Sequence, residues 1–363
     1  MADPRRTLIL VNGPSAGAIG ERARWIAVAA GGASVAYREG SRTAALCHFL
    51  ARIRQVRPDV LYLVDCAVAT VTAGILARRI LGARVVLDTG DAVAALTCSS
   101  GRGGRLGAAA GLILERLGYR ISSTIVVRSD GLAKHVKALS GRAAVLIPDG
   151  FDPTLAGPRA GGKYRASWKA GEHDLVVGVV GSARWNARLG WCYGRDVVEA
   201  VAHSARRDLV GAVVVRGDGV PRLRALADRL EVSDRVVFEE PADANGVWDQ
   251  LGALDVALST QTNDAVGNAR TTGKLVQYLA AGKFILASRV GTAATLLPED
   301  MLVDYHGAWD SGYFERLARR VDALPRRDEV RRRGMQLIHL ARSFSYERLV
   351  SALQREVPEF HPE

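Results

Sequence analysis

Cysteine is scarce in this sequence, and none of its four residues, Cys47, Cys66, Cys98 and Cys192, stands in a C-x-x-C pair. Zinc knuckles and disulfide frameworks need closely spaced sulfur partners, so neither is suggested and the four read as reduced core or filler residues. The seven histidines are equally scattered, without H-E-x-x-H or any paired spacing, so no metal constellation is expected. No apolar run approaches the roughly eighteen residues a membrane span requires, and the opening Met1-Ala-Asp-Pro-Arg-Arg-Thr leads into a strand-like run without the apolar stretch of a secretory signal. The expected location is cytoplasmic. Low-complexity segments and repeats of solenoid period are also missing.

What is present is a chain of 363 residues, 48% hydrophobic and 24% charged, long enough to bury two ordinary cores. Its net charge of +11 is unevenly spread: 24 Lys and Arg against 11 Asp and Glu give +13 over residues 1–170, whereas 25 against 27 give −2 over residues 171–363. A basic half suits nucleic acid, anionic lipid, an anionic small substrate or an arginine-rich solvated face. No nucleic-acid motif is present and the arginines are not interleaved with aromatics, so nucleic acid is not an expected partner.

The class is α/β. Short β-branched runs alternate with longer Ala- and Arg-rich stretches, the pattern of a parallel sheet covered on both faces. Strands are expected at 8–11, 34–37, 60–64, 84–87, 124–127 and 144–147, and again at 175–180, 212–215, 236–238, 256–259 and 284–287. Between the two series, Gly157-Pro-Arg-Ala-Gly-Gly-Lys163 has the glycine and proline density of a linker. Two Rossmann-like domains are therefore expected, 1–165 and 166–340, with a C-terminal helix at 341–363 that returns to the first. Arg326-Arg327 and Arg331-Arg332-Arg333 are expected on a solvated helix face.

Doubly wound sheets bind ligands beyond the carboxyl ends of their strands. The loop after the first strand, Asn12-Gly13-Pro14-Ser15-Ala16-Gly17-Ala18-Ile19-Gly20, lets backbone approach an anion through Gly13 and Gly17. Its spacing fits neither G-x-G-x-x-G nor a Walker A loop. In the second half, Asn268-Ala269-Arg270-Thr271-Thr272-Gly273 opens a helix, so Asn268, Thr271, Thr272 and Gly273 offer amides and hydroxyls to a diphosphate, and Arg270 and Lys274 add charge. Arg184 or Arg188, after the strand ending in Gly178-Val-Val-Gly181-Ser182, can pair with a leaving pyrophosphate by a two-pronged contact. Such cations do the work of a magnesium ion elsewhere, so no metal is expected. Asp91, in Leu87-Asp88-Thr89-Gly90-Asp91, is the first choice for contact with an acceptor, with Asp88 and Asp264 as further acidic groups.

Four ordered segments resemble glycosyltransferase family 4: Ile147-Pro148-Asp149-Gly150-Phe151-Asp152, Arg216-Gly217-Asp218-Gly219 with its following helix, Leu254-Asp255-Val256-Ala257-Leu258-Ser259, and Thr272 through Ser288. The resemblance covers most of residues 140–300. It implies the GT-B fold, two Rossmann-like domains facing each other across a cleft, and retaining, metal-independent transfer of a sugar from a nucleoside diphosphate sugar to an acceptor hydroxyl. It also implies no cofactor beyond the donor, a UDP-sugar taken over GDP or TDP, whose diphosphate lies against the second domain and faces the Gly13–Gly20 loop. The acceptor, a small molecule, glycan or lipid, falls to the basic first domain, which suits an anionic or membrane-associated molecule and peripheral contact with the inner face of a membrane. One departure stands out. The family's two carboxylates fall at Ala269 and Gln277, so the first is missing and the second is an amide, left to engage the ribose. A degenerate protein that binds nucleotide without turnover, and a GT-B sugar-nucleotide epimerase, are the alternative readings.

Overall fold

Strands built from Val, Leu and Ile with no polar residue between them are stable only where both faces are covered, and this decides the architecture. The computed structural model describes residues 5–101 and 104–361; the first four residues of the opening segment lie outside that range. Among the described residues twelve strands form: β1 (Thr7–Val11), β2 (Ser34–Tyr37), β3 (Val60–Val64), β4 (Arg84–Thr89), β5 (Thr124–Val127), β6 (Val145–Leu146), β7 (Leu175–Ser182), β8 (Leu209–Arg216), β9 (Val236–Glu239), β10 (Val256–Ser259), β11 (Phe284–Ser288) and β12 (Leu302–Val303). They build two six-stranded parallel sheets, ordered β2-β1-β3-β4-β5-β6 and β12-β11-β10-β7-β8-β9. Helical crossovers join successive strands, as parallel pairing requires. The central strands β1, β3, β10 and β11 are buried along their whole length.

Two compact units result: residues 1–150 with 269–271 and 346–363, and residues 151–268 with 272–345. The first unit thus ends at Gly150, before the glycine- and proline-rich stretch that marked the expected boundary near 165. Residues 151–165 belong to the second unit because Phe151 pairs with its last segment, through Phe151 N–H donating to Phe344 O at 3.1 Å, and Arg165 pairs with buried Asp255 at 2.7 Å. The helix Tyr346–Glu356 packs on the helix Ala18–Ala29 within the first unit, with Trp25 and Tyr346 stacked at 5.1 Å.

In each sheet the chain order reverses once: between β1 and β3 in the first, between β7 and β10 in the second. Those two switch points fix where the loops gather. The basic tail differs from expectation. Arg326 and Arg332 face solvent, but Arg327 Nε donates to Asp255 Oδ1 at 3.1 Å, Arg331 lies 3.7 Å from the same carboxylate, and Arg333 pairs with Asp300. A fully buried carboxylate recruits cations whose stems are long enough to reach it.

Candidate functional site

In the second unit, β7, β10 and β11 deliver Ser182, Ser259 and Ser288 to one edge of the sheet. The helix Gly273–Ala280 starts there, with Ser259 Oγ and Thr272 Oγ1 3.4 Å apart. Lys274, in its first turn, runs over β7: a methyl group added to Gly181, whose φ is +146°, would stand 2.5 Å from Lys274 Cε. The angle favours glycine at Gly181, and the lysine end lies where a side chain there would stand. The ammonium reaches the face of Tyr193, 3.1 Å from the ring centroid.

Beneath this lysine lies a polar network that the sequence reading did not single out. Asp196 is fully buried and accepts from Thr260 Oγ1 at 2.7 Å and from the Gly194 and Val197 amides at 3.1 Å. Burial raises its pKa above the ordinary carboxylate value, against the Thr260 and amide hydrogen bonds and the Lys274 charge. Gln261 Nε2 donates to Tyr193 OH at 2.7 Å, and Gln261 N–H donates to Ser288 Oγ at 2.7 Å. Thr260 and Gln261 immediately follow β10, so their place at a strand's carboxyl end was the available signal. Tyr193 and Asp196 carried none.

Among the expected donor-side residues, Thr272, Gly273 and Lys274 stand at that helix start, and Gln277 is half-buried one turn further along. Asn268 ends the short helix Ala265–Asn268, its side-chain amide donating to Asn263 Oδ1 at 2.9 Å. Arg184 and Arg188 are exposed on the loop after β7. Asp264 caps the short helix: its Oδ1 accepts from the Val266 and Gly267 amides at 3.0 Å and from Thr262 Oγ1 at 2.9 Å.

In the first unit, Asp91 and Arg270 are brought together, Arg270 Nε donating to Asp91 Oδ1 at 2.5 Å. Arg270 and Thr271 belong to the segment 269–271, which packs with this unit; Ala269 is buried in its core and its carbonyl accepts from Ser129 Oγ at 2.5 Å. Asp88 is excluded from substrate contact. It is fully buried between Arg22 Nε at 2.8 Å, Arg128 Nε at 3.2 Å and Tyr62 OH at 3.0 Å. Burial opposes its ionisation, but the two guanidinium groups outweigh that and hold its pKa below the ordinary value. Arg22 also donates to the carbonyls of Ile147 at 2.9 Å and Pro148 at 2.8 Å, anchoring the end of this unit. Asp65, at the end of β3 with φ +73°, pairs with Arg128 Nη2 at 2.9 Å, and burial pushes its pKa up to about 6.

The Gly13–Gly20 loop folds back on its own helix. A Cβ at Gly20 would stand 2.0 Å from Ser15 O, so close approach requires that glycine, while Gly17 caps the helix start with φ +82° and Gly13 packs on Ile19. Among the described residues there is no cluster of three His, Cys, Asp or Glu side chains that could hold a metal ion, and no helix is long and apolar enough to cross a membrane.

Paired sheets of these orders define the class: the chain has the GT-B fold of glycosyltransferases. No protein-family model matches the sequence, and no curated protein matches it. Among solved structures it is similar to sucrose-phosphate synthase from Thermosynechococcus elongatus, with a TM-score of 0.76 at 18% identity over 97% of this chain and 98% of that one. HepE from Anabaena, in complex with UDP and glucose, superposes with a TM-score of 0.76 at 17% identity over 97% and 99% of the two chains. An α,α-trehalose-phosphate synthase (UDP-forming) from Burkholderia xenovorans, in complex with glucose-6-phosphate, gives 0.66 at 11% identity over 97% and 99%.

Proposed function

We propose that the protein is a glycosyltransferase of family 4 type that moves a sugar from a UDP-sugar to an acceptor hydroxyl, with retention at the anomeric carbon and without a metal ion. The observation that carries this is the lysine of the second unit. Lys274 extends from the start of a helix over Gly181, at the switch point where doubly wound sheets take their ligands. The helix start with its positive dipole end, the Thr272 hydroxyl and the Lys274 ammonium form one positive edge suited to a diphosphate. Arg184 and Arg188 add exposed cations on the neighbouring loop. Gln277 is assigned to the ribose.

The neighbours support the donor: HepE is described in complexes with UDP, glucose and UDP-glucose, and the trehalose-phosphate synthase as UDP-forming. Catalysis would consist of positioning the two substrates and stabilising the departing diphosphate. Ala269 and Gln277, where the family carries carboxylates, favour a second reading, a protein that binds nucleotide without turnover. Thermal-shift and calorimetric titration with UDP, GDP and TDP, followed by donor hydrolysis in EDTA, test both. A selective rise in melting temperature with UDP and EDTA-resistant turnover are expected. Binding without turnover would establish the second reading, and turnover restored only by magnesium or manganese would refute metal independence.

A further inference from the structure

A cavity of about 440 Å3 opens in the first unit beyond the carboxyl ends of β1 and β3, at the switch point of that sheet. Its volume lies within the roughly 300–1,000 Å3 typical of small-molecule sites. The lining is divided by origin. From the β1 and β2 side come Asn12, Arg38 and Arg42, with Arg38 Nη1 3.4 Å from Asn12 Oδ1. From the β3 and β4 side come apolar groups, among them Val68, Val93 and Leu114.

The apolar wall is preformed. Buried Glu115, on the helix Gly104–Ile121, accepts from the amides of Val93 at 2.8 Å and Ala94 at 3.3 Å, which caps the helix Val93–Ser99. A carboxylate at that end satisfies donors the short helix cannot satisfy itself. Gly111 brings the two helices to backbone contact: a Cβ there would stand 3.0 Å from Ala94 Cα.

The same helix turns an apolar ridge outward. Leu106, Ile113 and Leu117 are 84%, 59% and 41% exposed. Ala110, which lines the cavity and is exposed, falls four residues after Leu106 and three before Ile113, so the ridge passes the cavity at Ala110. Arg105, Arg116 and Arg120 are exposed on this helix. An apolar chain leaving the cavity at Ala110 therefore stays on apolar surface, with cations beside it and two more arginines inside.

We infer that this cavity takes the apolar part of a lipid amphiphile bearing a phosphate or carboxylate, with the anionic group met by Arg38 and Arg42 and the tail running out along the Leu106, Ile113 and Leu117 ridge to an anionic membrane. That this lipid is the acceptor rests on the glycosyltransferase reading; that the cavity binds it does not.

The test is calorimetric titration of the full chain with n-octyl phosphate, inorganic phosphate and n-octyl glucoside, in the native protein, Ala110→Phe and Arg42→Gln, with UDP titrated in parallel. Both substituted positions are exposed, so the fold tolerates them. Octyl phosphate is expected to bind at least about tenfold more tightly than either inorganic phosphate or octyl glucoside. Ala110→Phe should weaken both octyl ligands by about tenfold or more, and Arg42→Gln should weaken octyl phosphate alone, with UDP affinity unchanged throughout. Octyl phosphate binding no tighter than inorganic phosphate, or unaffected by Ala110→Phe, would overturn the inference while leaving UDP binding to stand. Loss of UDP binding with the octyl pattern intact would instead remove the donor reading alone. Sedimentation with phosphatidylglycerol and phosphatidylcholine vesicles decides the source. Binding to the anionic vesicles that a Leu106→Glu, Ile113→Glu variant loses supports a membrane lipid; no binding to them by the native protein would refute it.

Discussion

Replacing Lys274 by methionine removes one charge and little else, which makes it the sharpest probe of the proposed donor site. The methionine side chain keeps a straight stem, so contact over Gly181 and against Tyr193 survives while the ammonium 3.1 Å from the ring centroid is lost. Hydrogen bonds to charged groups contribute about 1.5–3 kcal/mol each. At roughly 1.4 kcal/mol per factor of ten, UDP should bind about 10- to 150-fold more weakly. Uridine, which carries no phosphate, should keep its affinity within about twofold. The cation–π contact with Tyr193 acts on stability instead, where its loss costs about 0.5–1 kcal/mol. Calorimetric titration with UDP and uridine, alongside a urea melt, separates these effects. UDP affinity within twofold of the native protein would remove Lys274 from the diphosphate site, and equal losses for UDP and uridine would show a general distortion.

Gln277→Ala should weaken UDP by roughly 0.5–1.5 kcal/mol, the net size of a neutral hydrogen bond, and unchanged affinity in a folded variant would take this residue out of the ribose site. Arg22→Met leaves fully buried Asp88 with Arg128 and Tyr62 alone and strips the Ile147 and Pro148 carbonyls of their donor, so urea denaturation should show a loss of about 3–5 kcal/mol; a loss under about 1 kcal/mol would refute a structural role for this network. The hydrogen bond His135 makes to Glu115, and the charge of that carboxylate, raise the pKa of His135 above the ordinary 6.5 despite partial burial. The stability this pair adds is therefore complete below pH 6.5 and is lost as pH rises through the folded-state value. The stability difference between native protein and His135→Gln should shrink on going from pH 6 to pH 9, and a difference that stays constant over that range would refute the linkage.

Much of the fold was legible because its signal is local. The runs at 8–11, 60–64 and 284–287 are apolar without interruption, which only strands covered on both faces tolerate, and each falls inside an observed strand. β12 was not anticipated: its two residues, Leu302–Val303, are followed at once by Asp304 and form no long apolar run. The helix start at Thr272 and Gly273 was readable from composition, and so was the basic excess of the first 170 residues. Tertiary structure decided which polar residues remain for a ligand. Asp88 and Asp264 read as acidic groups for a sugar or acceptor; one is enclosed by two arginines and the other commits its Oδ1 to a helix cap. Arg165, at the end of the expected first domain, meets Asp255 in the second unit, and the unit boundary falls at Gly150. Lys274, Gly181, Tyr193 and Asp196 converge from separate elements of the second unit, as Glu115, Val93 and His135 do in the first. The physical reason is one of range: burial of apolar runs is written in neighbouring residues, whereas the partner of a charge is chosen by distance in space after the sheets have formed, and partner choice determines which charges remain to meet a substrate.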